Sequence, residues 1–153
     1  MSAPGRLAVL AVLLGALAAP AAAMTCSFTS VVGVAFGAYD VFSATPLDST
    51  GSVTFLCTGG SPGPITIDLS TGAGTFGQRT LINGASSLGY NLYLSATRTG
   101  SVWGDGTSST AHYGPTTPTL DSETTVTVYG RVPAQQNVAA GGYSDTVVVT
   151  ITY

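Results

Sequence analysis

Residues Gly142–Tyr153 read GYSDTVVVTITY. Val147, Val149, Ile151 and Tyr153 alternate with Thr146, Val148, Thr150 and Thr152, which is the period of a β-strand. β-Branched residues fill most of the positions, as a pleated and half-buried surface favours. A sandwich domain that stops on such a strand either has a complete sheet or leaves a place beside it for another chain.

Working back along the chain, the pattern repeats in shorter pieces. Val53, Phe55 and Cys57 share one face of a strand over Gly51–Thr58, and Ile65, Ile67 and Leu69 share one face of the next. Thr80–Ile82 is a short strand before an Asn83-Gly84 turn, and Leu88–Ala96 places Tyr90, Leu92 and Leu94 on one side. Thr124–Val132 is a further strand, and Thr25–Phe36 is an extended segment interrupted at Gly33. Gly59–Pro64 and Ser70–Gly77 are turn and loop chemistry, and Thr99–Thr119 reads as loop. About six or seven short strands with no helix between them indicate an all-β sandwich of immunoglobulin-like size. A jelly roll or small barrel fits the same pattern.

The N-terminus is an address. Arg6 precedes the apolar run Leu7–Ala19, and Ala21–Ala23 supply small residues for cleavage before Met24. Residues 1–23 therefore read as a secretory signal peptide, since so short a run cannot cross a bilayer. No later segment is apolar enough to span a membrane. Residues 24–153 then form one domain, with three arginines (Arg79, Arg98, Arg131), no lysine and seven acids, a formal charge of −4. Such a surface offers nucleic acid or anionic lipid no basic patch. In the oxidising compartment that export implies, Cys26 and Cys57 read as one disulfide, worth roughly 3–4 kcal/mol by loop closure. A metal pair or redox pair is the poorer reading, because the CxxC spacing is absent and His112 is the single histidine.

The residues give catalysis little to work with. His112 lies in a Ser/Thr/Pro-rich loop without a nucleophile-elbow sequence, and the missing lysine excludes Schiff-base chemistry. The acids Asp68, Asp105, Asp121, Glu123 and Asp145 read as solvated turn and edge carboxylates, with Asp68 pointing outward from its strand. Gly104-Asp105-Gly106 is a tight turn and too poor in acids for a calcium loop. Gly72–Gly77 has neither the Lys-Ser/Thr end nor the following helix of a phosphate loop. No cofactor or metal is expected. Trp103 reads as a packed aromatic, with a sugar platform beside Tyr113 as the alternative.

Several segments together resemble the spore coat protein U-like domain, the subunit type of archaic, Csu-type chaperone–usher pili. They are FGAYD (Phe36–Asp40), VTFLC (Val53–Cys57), YNLYLSA (Tyr90–Ala96), VWGDGT (Val102–Thr107), VYGRVPAQQNV (Val128–Val138) and GGYSDTVVVTITY (Gly141–Tyr153). The resemblance implies an incomplete immunoglobulin-like sandwich with an apolar groove open beside its C-terminal strand. A periplasmic chaperone fills such a groove first, and at the outer-membrane usher a strand from the neighbouring pilus subunit replaces it. Val147, Val149 and Ile151 would be the inward row of the groove wall, and a basic chaperone residue would anchor the terminal carboxylate of Tyr153. Cys26 and Cys57 match the family's disulfide, which ties the first strand to the second.

The implied function is a non-enzymatic subunit of a cell-surface fimbria, exported through the periplasm and supporting adhesion or biofilm formation. A stand-alone secreted or spore-coat-like binding module, with Trp103 and Tyr113 as a carbohydrate site, is the alternative. Only Met24 and Thr25 stand between the expected cleavage site and Cys26. The expectation is therefore a chain that accepts a strand but has little to donate.

Overall fold

The computed structural model describes residues 22–153, so nearly all of the expected signal peptide lies outside the described residues. Within them, eight strands form two sheets: β1 (Thr25–Val32), β2 (Leu47–Thr58), β3 (Ile65–Leu69), β4 (Arg79–Asn83), β5 (Ser86–Tyr93), β6 (Tyr113–Thr116), β7 (Glu123–Val132) and β8 (Val149–Thr152). One sheet has the order β1-β2-β7-β5-β4 and the other β6-β3-β8, with every pairing antiparallel. This is the all-β, immunoglobulin-like sandwich that the alternation predicts.

The structure adds β6 inside the stretch that reads as loop, and the sequence explains why it escaped notice. Its four residues, YGPT, hold a glycine and a proline that break any alternation. β2 also begins earlier than its apolar face does. Leu47–Thr50 pair with Tyr129–Val132, and Gly51 lies mid-strand rather than at a turn. A Cβ on Gly51 would collide with the Val32 carbonyl oxygen, so glycine lets the end of β1 cross closely over β2.

The core is made of the faces predicted from the pattern. Val53, Phe55 and Cys57 from β2, Ile65, Ile67 and Leu69 from β3, and Leu88, Tyr90 and Leu92 from β5 are all buried between the sheets with Val128 and Val132 from β7. Cys26 and Cys57 face each other across the β1–β2 ladder and are disulfide-bonded. Trp103 is fully buried, and its indole N–H donates to the Ile67 carbonyl at 2.9 Å.

Among the described residues, one buried side chain carries charge. The Arg79 guanidinium, 0% exposed, donates to the Ser70 carbonyl from Nε (2.9 Å) and Nη2 (2.8 Å), to the Trp103 carbonyl (2.8 Å) and to Asn91 Oδ1 (3.0 Å). It also lies over the Phe76 ring, 5.5 Å from the centroid. Burial pulls its pKa down from the usual arginine value. This nearly complete set of hydrogen bonds offsets the desolvation of the charge. Arg79 thus ties β4 and β5 of one sheet to the end of β3 in the other. Replacing it with methionine keeps much of the bulk but strands the Ser70 and Trp103 carbonyls and Asn91. We expect Arg79→Met to lower unfolding stability by about 3 kcal/mol in urea denaturation. A change well under ~1 kcal/mol would show that the hub is dispensable.

Candidate functional site

The C-terminal segment behaves as two pieces. Val149–Thr152 pair with Thr66–Leu69 in a regular ladder, whereas residues 144–148 belong to no ladder. The reason lies at Ser70. Its amide donates to the Val148 carbonyl at 2.9 Å, continuing the register by one residue. Its carbonyl is already engaged by Arg79, and the Val148 amide turns instead to Ser70 Oγ at 2.9 Å. The expected strand Tyr143–Tyr153 is therefore strand only over its last part. Its beginning crosses to the other sheet, where Ser144 and Ile82 exchange backbone hydrogen bonds of 2.7 and 3.1 Å.

The alternation still governs the whole segment. Tyr143, Val147, Val149 and Ile151 pack against the core as half-buried residues, while Val148 on the other side is 60% exposed. Val147, Val149 and Ile151 thus all face the core; Val147 and Val149 also line a groove beside the segment, whereas Ile151 is not among its lining residues. The backbone of this row faces the other way from β3. Antiparallel ladders alternate hydrogen-bonded and non-bonded pairs. Since Ser70 and Val148 form a bonded pair, Asp68–Thr150 and Thr66–Thr152 follow as bonded pairs. The N–H and C=O groups of Val149 and Ile151 then point to the outer edge, where β8 has no strand neighbour among the described residues.

Beside that edge is a groove. A cavity of about 310 Å³ lies between residues 31–36 on one side and Leu69, Val147 and Val149 on the other, floored by Val53, Tyr90, Leu92 and Val128. A second cavity of about 810 Å³ shares Val34, Phe36, Leu81 and Asp145 with it, and continues to Leu47, Leu88 and Val132. From Val53 to Leu47 is six steps along β2, so the floor runs for about 20 Å. Val31 and Val32 at its rim are 52% and 54% exposed, and Phe42 at the far end is 88% exposed. A row of apolar side chains this open is unusual on a domain that otherwise covers its core.

The remaining predicted residues fall elsewhere. Tyr153 is more than half exposed and is not among the groove's lining residues. Trp103 has no accessible face, so it cannot serve as a sugar platform; the interior of the sandwich takes its whole surface. Tyr113 packs edge-on against Phe55, with ring centroids 6.3 Å apart. Asp68 does point outward, where it meets His112 Nδ1 at 3.1 Å. Asp105 caps its own turn, accepting from the Thr107 amide and hydroxyl at 2.9 and 2.6 Å. These bonds hold its carboxyl below the usual range.

Asp145 corrects the reading of the acids as solvated. It is half-buried in the groove wall, with Oδ2 accepting from the Tyr90 hydroxyl at 2.7 Å and Oδ1 from the Ala73 amide at 2.9 Å. Burial and this bond raise the Tyr90 pKa well above an ordinary phenol. Neither Asp145 nor Arg79 stands out in the sequence as a site. The visible signal was only the scarcity of charge, which makes each retained charge worth explaining.

Together these elements define an immunoglobulin-like sandwich in which the free edge of β8 lies above an apolar groove. The chain belongs to the Spore Coat Protein U domain family, whose family model matches residues 13–150. It is 41% identical over 143 residues to Protein U of Myxococcus xanthus, a match spanning 84% of this chain and 77% of that protein. Its fold is similar to that in the crystal structure of the CsuC–CsuE chaperone–tip adhesion subunit pre-assembly complex, from archaic chaperone–usher Csu pili of Acinetobacter baumannii. There the TM-score is 0.54 at 18% identity, covering 86% of this chain and 40% of that one.

The two faces of the C-terminal segment should answer differently to a charge. Val147→Asp places a carboxylate against apolar neighbours, and Val148→Asp places it in water. Urea denaturation is expected to show the first costing about 2 kcal/mol more than the second. Equal costs would contradict the assigned inward row.

Proposed function

We propose that this domain is a structural subunit of chaperone–usher type that accepts a strand from a partner chain into the groove beside β8. The observation that carries this reading is the coincidence of two unmet demands at one place. The outer edge of β8 presents the backbone groups of Val149 and Ile151, and the groove beneath presents half-buried apolar side chains. An extended segment with alternating apolar residues answers both, its main chain pairing with the edge and every second side chain filling the groove. A compact ligand would leave the edge unpaired, and a helix would leave its hydrogen bonds unmet.

Family membership and the fold likeness support the same reading. In it, a periplasmic chaperone covers the groove after export, and an outer-membrane usher presides over exchange for a strand of a neighbouring subunit. The assembled product is a surface fimbria serving adhesion or biofilm formation. Covering the edge also removes an aggregation hazard in a chain rich in β-branched residues and poor in charge. The domain's own part is binding rather than catalysis.

Co-expression in the periplasm with a chaperone of the archaic type tests the proposal. The expected result is a soluble one-to-one complex, with the domain alone aggregating or melting at least 10 °C lower. A domain that is monomeric and equally stable without the chaperone would overturn it.

A further inference from the structure

The groove wall is held by side chains where the ladder gives out. Between Ser144 and Val148 the chain makes four kinds of attachment. Ser144 pairs with Ile82 on β4, and Val148 with Ser70 at the end of β3. Between them, Asp145 reaches across to the Ala73 amide and the Tyr90 hydroxyl, and it also accepts from its neighbour's amide at Thr146, 2.7 Å away. Tyr90 belongs to β5 in one sheet, while Ala73 belongs to the loop leaving β3 in the other. The carboxylate therefore joins both sheets to the segment that crosses between them. It is also the one acid that lines both cavities of the groove.

We infer that Asp145 is a positioning residue for strand capture: its bonds to Tyr90 and Ala73 hold residues 144–148, and with them Val147, in place while the groove is empty. The inference rests on the strand-acceptor reading, because it assigns what makes the wall ready for an incoming strand. Without the carboxylate, the wall between Ser144 and Val148 keeps only its two end attachments. Each capture event must then order the wall as well as the incoming strand, and that ordering lowers affinity. The small residue at the Ala73 side fits the same arrangement. Gly72 has φ +62°, and a Cβ there would collide with the Asp145 carboxylate, so glycine lets the loop close onto it.

The chemistry of the latch makes a conservative variant informative. In Asp145→Asn the amide oxygen still accepts from Ala73 and Thr146, and the amide nitrogen can donate to the Tyr90 oxygen. In Asp145→Ala every one of these bonds is lost. Tyr90→Phe removes one bond and keeps the carboxylate, so it serves should the alanine variant not fold. Asp48→Ala is the control for general weakening, since Asp48 is salt-bridged to Arg131 on the outer face, away from the groove lining.

The test uses the full chain and two readouts. The first is residue-resolved amide exchange at Ser144 and Val148, compared with amides of the β2–β7 ladder. The second is capture of a labelled probe peptide in which valine and threonine alternate over nine residues between terminal lysines. Expected for Asp145→Ala is at least tenfold faster exchange at Ser144 and Val148 with the ladder unchanged, and at least tenfold weaker capture. Tyr90→Phe should show about threefold of each, and Asp145→Asn and Asp48→Ala should stay within twofold of the parent in capture. Parent-like exchange and capture in Asp145→Ala, or exchange accelerated equally across the ladder, would overturn the latch. A parent chain that takes up no peptide while its Asp145→Ala variant still loosens locally would overturn the strand-acceptor reading instead.

Discussion

The carbonyl of Ser70 is asked for twice, and the answer shapes the rest of the molecule. Arg79 takes it with two N–H groups, and so the Val148 amide cannot use it to continue the β3–β8 ladder. A buried guanidinium is costly to desolvate and needs a nearly complete set of acceptors. Meeting that need at the junction of β3, β4 and β5 ends one ladder early. The chain upstream of Val149 is then free to lean across to the other sheet, where Ser144 meets Ile82. The side of the sandwich between residues 31–36 and this crossing segment is thereby left as a groove.

The groove joins the fold to its proposed use. Its floor is ordinary core, made of the same β2, β5 and β7 faces that pack elsewhere against the second sheet. What differs is the missing roof. The half-buried state of Val147 and Val149 and the exposure of Val31 and Val32 mark apolar area that would be covered if one more strand lay there. The disulfide between Cys26 and Cys57 fixes the start of β1 to β2. The second half of β1, beyond the irregularity between Phe28 and Ser30, runs along the groove rim. One wall is thus anchored by a covalent link and the other by polar side chains.

Much of this was legible in the sequence, for a physical reason. Alternation reports which face of a strand is buried, so the inward faces of β2, β3 and β5 and the core-facing row of the C-terminal segment can be read from residue order, while β7 reads only as a strand. The motifs behind the family resemblance turn out to be largely internal bracing. Tyr39 of FGAYD donates to the Pro133 carbonyl and accepts from the Gln136 amide of VPAQQNV, joining two loops. The tryptophan of VWGDGT is core. What the sequence hid were events that depend on tertiary neighbours. β6 has no alternation to read, Asp145 looks like any turn acid, and Arg79 looks like any surface arginine. Burial of a charged group is set by the acceptors that converge on it, and those come from residues 69–103, scattered over two strands and two loops.

The central claim, that β8 offers a row of unmet backbone groups above the groove, can be read amide by amide. In the isolated chain, exchange measured by NMR should find the Thr150 and Thr152 amides protected at least tenfold more than those of Val149 and Ile151, because only the even-numbered pair faces β3. Addition of a strand-forming partner should then protect Val149 and Ile151 as well. Equal protection of all four amides in the isolated chain would mean that the edge is already covered, and would contradict the account.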